Sequence, residues 1–130
     1  MSLKALTTAA ALGVLGVGAA QADRDLSIYP AAQCAALWLG YSDYAARSHY
    51  LSVDPTDATR AAAFRAVALR LGTSPRADID RYIADQRPLM ETMVEAMIFG
   101  RDRQSADVFE ALVETCKSFA KDHPETRKLS

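Results

Sequence analysis

Glycine is scarce beyond the first residues of this chain: of six glycines, only Gly40, Gly72 and Gly100 lie after residue 22. No two of those are spaced to form a phosphate-cradling loop. There are two cysteines, Cys34 and Cys116, too far apart for the Cys-x-x-Cys of dithiol exchange or for covalent haem attachment. The two histidines, His49 and His123, form no metal-ligand pair, and the Glu-x-x-His of di-iron bundles is missing. Charge of one sign is not in excess either, with 15 Lys+Arg against 16 Asp+Glu. That balance argues against a protein held to nucleic acid by a basic face. Alternating runs of β-branched residues, the ordinary signal for strands, do not occur. No Ser or Thr stands in a Gly-x-Ser-x-Gly setting. After residue 22, no apolar run is long enough to cross a bilayer.

Half of the residues are hydrophobic, too many for a disordered tail. The first 22 read as an export signal. Lys4 is the only charge before Asp23, Ala5–Leu15 is an apolar core, and Ala20-Gln21-Ala22 places small residues at −3 and −1 of a cleavage site. A membrane anchor is the rival reading. Thr7, Thr8, Gly13, Gly16 and Gly18 weaken the run against the roughly 20 apolar residues that a span requires. There is no cysteine at the cleavage point to suggest a lipoprotein, and no paired arginine to suggest export in the folded state. Residues 1–22 are therefore expected to be cleaved, leaving one helical domain over 23–130, periplasmic or secreted. The signal carries one cation and no carboxylate, so the remaining 108 residues have a net charge near −2.

Proline and glycine then divide the chain. Pro30, Pro55 and Pro75 each precede a periodic segment, where proline suits the first helical turn. Asp54 and Ser74 are suitable caps before two of them. Gly72 and Gly100 follow periodic stretches as helix stops do. These signals predict helices at about 30–50, 55–71, 75–99 and 103–122. In the last, Phe109, Leu112, Val113, Cys116, Phe119 and Ala120 share one face, and Asp107, Glu110, Glu114, Lys117 and Lys121 the other. The third carries Ile79, Ile83, Met90, Met93 and Met97 on a stripe that keeps its phase across Pro88, which favours one helix kinked at Pro88 over two. The expected fold is all-α: a small up-down four-helix bundle with short connections.

One cysteine pair in an exported chain predicts a disulfide. Cys34 lies near the start of the first predicted helix and Cys116 near the end of the fourth, ends that an antiparallel bundle brings together. Closing a loop of about 80 residues would restrict the unfolded chain by roughly 4 kcal/mol.

Other constellations are weaker. Met90, Met93 and Met97 could offer thioethers to copper(I), but they share the stripe that any amphipathic helix buries. Asp78-Ile79-Asp80 begins like a calcium loop and then fails, with Leu89 at the position of the last ligand. Glu91 and Glu95 fall on a polar face with no cleft implied. No metal and no cofactor is expected, and no catalytic constellation points to an enzyme. The most distinctive segment is Trp38–Tyr50, WLGYSDYAARSHY. On a helix, Leu39 and Tyr50 would project away from the Cys34 face, and Leu69 does the same on the second helix, so these three are the candidate partner-binding residues.

This layout of an export signal, about 100 helical residues and one long-range cystine resembles that of periplasmic acid-stress chaperones and secreted immunity proteins. The expected function is non-enzymatic binding of another periplasmic or secreted protein, as a regulator or inhibitor. The alternatives are an acid-stress chaperone and a carrier of a metal or small ligand.

Overall fold

The computed structural model describes residues 25–129. Among them the chain forms four α-helices and no strand: α1 (Gln33–Arg47), α2 (Pro55–Leu71), α3 (Arg76–Ile98) and α4 (Arg103–Lys121). The expected export signal lies outside the described residues. A π-helical turn at Ser27–Ala32 leads into α1, and a 3-10 turn at Arg127–Leu129 follows α4.

The helix ends show which local signals decide them. Asp54 is extended and its carboxylate accepts the Thr56 amide at 2.9 Å, after which Pro55 opens α2. Gly72 ends that helix at φ 65°, a left-handed position that favours glycine. Asp102 caps α4 by accepting the Ser105 amide at 2.9 Å. Two expectations need correction. The first helix begins at Gln33, because Tyr29 is non-helical (φ −119°, ψ 114°) and Pro30 belongs to the turn. It also stops at Arg47, where Ser48 becomes extended and its hydroxyl accepts the Tyr50 amide at 3.0 Å. Ser74 does not cap α3; Pro75 occupies that position, and the Ser74 hydroxyl donates to Asp25 instead. Helix α3 runs without interruption through Pro88.

Helix α1 is central and packs most extensively on α3 and then α2, whereas α4 rests mainly on α3. The fully buried Leu37, Val67 and Ile79 lie in this core. Burying such side chains contributes about 1.5–3 kcal/mol each. Gly40 is the closest point of α1 to α3. A Cβ there would lie 2.5 Å from that of Met90 and 2.7 Å from both the Arg87 carbonyl oxygen and the Glu91 nitrogen. Only glycine leaves room for that approach.

The cystine forms as expected: Cys34 and Cys116 are joined, with Cα atoms 5.7 Å apart. It ties α4 to the start of α1, a pair of helices with little other mutual packing. On α4 only Cys116 and Ala120 are fully buried; Phe109, Leu112, Val113 and Phe119 pack half-buried against the core. The fold is thus an all-α bundle with a covalent clamp on its least embedded helix.

Candidate functional site

The arrangement with the strongest claim to function lies where α1 and α3 both end. Tyr50 stands on the loop after α1, its amide held by the Ser48 hydroxyl. Phe99 caps α3, its amide bonded to the Glu95 carbonyl oxygen at 2.8 Å. The two rings meet at a centroid distance of 6.3 Å with a tilt of 55°. Tyr50 is nevertheless 67% exposed and Phe99 66% exposed. Each ring shelters the other only slightly, and both remain open to solvent.

Around them is a shallow cleft of about 240 Å³, also lined by Tyr44, Arg47, Ser48, His49 and Glu95. Its charged members, Arg47 and Glu95, are already tied together. Arg47 donates from Nε to Glu91 at 2.5 Å and from Nη2 to Glu95 at 2.7 Å, and its guanidinium lies 5.0 Å from the centre of the Tyr44 ring. Those bonds raise the Arg47 pKa, and the bond from Arg47 lowers that of Glu95. The result is a hydrogen-bonded polar floor, one cation shared by two carboxylates, beneath two projecting aromatics. Glu91 and Glu95, expected on a solvated face, stay partly exposed there and also accept the bonds that link α3 to α1.

The three candidate partner residues lie in different surroundings. Tyr50 is in this cleft. Leu39 is half-buried in a shallow groove with Ala58, Ala62 and Ile83. Leu69 is half-buried against the core. Helical projection placed Tyr50 as though α1 continued, but the chain leaves the helix two residues earlier. Phe99 escaped the sequence reading altogether. Its signal was an aromatic directly before the stop at Gly100, where a helix end turns side chains out of the packed stripe.

Other sequence features have structural roles. Met90 is buried, and Met93 packs half-buried beside the core. His123 lies with its ring centre 4.2 Å from that of Phe119, and its Nδ1 is 2.8 Å from Arg70 Nη2. Arg70 also holds Glu125 at 2.8 Å. No cluster of three or more His, Cys, Asp or Glu suited to a metal ion occurs among the described residues. No described helix is long and apolar enough to cross a membrane.

Asp57 is the one buried carboxylate of the helices. Its Oδ1 accepts from Arg60 at 2.8 Å, while Oδ2 is buried without a partner. Burial pushes its pKa up, against the opposing pull of Arg60. A lone Asp in the first turn of a helix gave no sign of this in the sequence.

No family model, curated protein or solved structure matches the chain, so its own residues carry the reading.

Proposed function

We propose that this is an exported, non-enzymatic helical domain that binds another periplasmic or secreted protein through the Tyr50–Phe99 face. One observation carries the reading: two large aromatic rings stand together, each about two-thirds exposed, over a polar floor whose charges are already paired. Singly exposed apolar residues are ordinary on protein surfaces. A contacting aromatic pair is different, because Tyr and Phe carry large contact area at little entropic cost and are enriched at interfaces. The paired Arg47 and Glu95 would form a polar rim. The export signal and cystine support an oxidising extracytoplasmic compartment.

A photo-crosslinking amino acid at position 50 tests this in cells. The expected result is a discrete adduct with one other protein that vanishes with Phe99→Ala and is absent when the probe stands at Ala111, on the exposed side of α4. The same adducts at both positions, or none at position 50, would refute it.

A second reading, an acid-stress chaperone, has its own support. Asp80, Glu95 and Glu125 have pKa values lowered by hydrogen bonds from Arg65, Arg47 and Arg70. Stability from such lowered groups is present above their unfolded values and lost as pH falls through the folded ones. Acid would therefore loosen the ties between helices and expose the apolar faces. Failure to suppress aggregation of an acid-sensitive client at about pH 2–3 would remove this reading.

A further inference from the structure

On the opposite side of α1 from its contact with α3, a cleft of about 120 Å³ opens beside the cystine. Its apolar walls are Trp38, Phe64, Ala120 and Leu129, the last brought there by the 3-10 turn that follows α4. That turn is anchored internally, since the buried Thr126 hydroxyl donates to the Ala120 carbonyl oxygen at 2.8 Å. Two cations, Arg60 and Lys117, complete the lining, and no carboxylate of the described residues contributes to it. The Arg60 guanidinium lies 5.0 Å from the centre of the Trp38 ring and is held there by Asp57. Arg60 and Lys117 against Asp57 leave one net positive charge at the mouth. Trp38 Nε1 is also buried without a protein acceptor.

We propose that this cleft binds a small, free aromatic carboxylate, its ring between Trp38 and Phe64 and its carboxylate between Arg60 and Lys117. Size limits the occupant: an enclosed apolar cavity of about 150 Å³ accommodates benzene, so an open cleft of about 120 Å³ has room for a single ring with its substituent outside at the mouth. That volume suits one ring better than a long acyl chain. Charge selects the rest of the molecule. In a chain of slight negative charge, an apolar slot edged by Arg60 and Lys117 favours a monoanion. Arg60 is pre-positioned for it by its stack on Trp38 and its bond to Asp57, so little side-chain ordering remains on binding.

Trp38 is the only tryptophan in the chain, so its fluorescence reports directly from the wall of the cleft. The disulfide-bonded protein should be titrated with benzoate at constant ionic strength, with benzamide and acetate as the uncharged and ringless controls. Ligand-observed NMR saturation transfer to benzoate provides a second readout. The expected result is saturable binding of benzoate, about tenfold or more weaker for each control. Lys117→Ala, at an exposed position, should weaken benzoate by about fivefold while leaving the circular dichroism unchanged. Asp57→Asn keeps an amide oxygen to accept from Arg60 but removes the counter-charge behind it, and should tighten benzoate binding. No saturable signal by either method would overturn the proposal. So would equal binding of benzamide and benzoate, or no response of benzoate affinity to both substitutions.

Discussion

Asp25 shows how much one side chain can organise. Its carboxylate accepts the amide and hydroxyl of Ser27 and the hydroxyls of Thr73 and Ser74. It thereby ties the chain before α1 to the connection between α2 and α3. Burial alone would raise its pKa, but the four donors together hold it far below the ordinary 3.8. A carboxyl whose folded pKa is depressed contributes stability above its unfolded value and loses it as pH falls through the folded one. Asp25→Asn should therefore lower stability to urea at pH 7, and the gap from the unaltered protein should narrow as pH drops below about 3.8. A gap that stays constant with pH would mean that the charge of Asp25 is immaterial. Nothing in the sequence marked this residue, because beyond the neighbouring Ser27 its partners, Thr73 and Ser74, come from 48 and 49 positions away.

Helices were legible where their signals were local. The Asp54–Pro55 start, the Gly72 stop and the apolar stripe of α4 each depend on neighbours within one turn, and each stands where the sequence put it. The end of α1 was not, since it turns on whether the Ser48 hydroxyl captures the Tyr50 amide in place of a further helical turn. That difference moved Tyr50 from a helix face to a loop and so joined it to Phe99. The candidate site was half legible for the same reason: Tyr50 stood out by composition, but its neighbour came from the far end of another helix. Gly40 was the one glycine of the domain that marked no helix end, and the crossing of α1 on α3 accounts for it. Gly40→Ala should cost about 2 kcal/mol by chemical denaturation, even though alanine is the better helix former. The two backbone atoms it would meet, on Arg87 and Glu91, cannot rotate away. A stabilised variant would show that the crossing relaxes freely.

Taken whole, the molecule is a small core with an outlying helix, and the cystine compensates for that. Cys34 and Cys116 are separated by 82 residues, so closing the loop disfavours the unfolded chain by about 4 kcal/mol. Domains of this size have only about 5–15 kcal/mol in total. Replacing both cysteines with serine should therefore lower the unfolding midpoint sharply and release α4 first, which amide hydrogen exchange would show as loss of protection over residues 103–121 before α1. Uniform loss of protection would contradict the clamp on α4. Function turns on a different distinction, between aromatics that hold the fold and aromatics that face a partner. The proposed function places Tyr50 and Phe99 in the second kind, and their joint replacement by serine separates the two directly. The expected unfolding free energy lies within about 1 kcal/mol of that of the unaltered protein, as for surface positions. A loss of 3 kcal/mol or more, on the order of truncating a core phenylalanine, would contradict it.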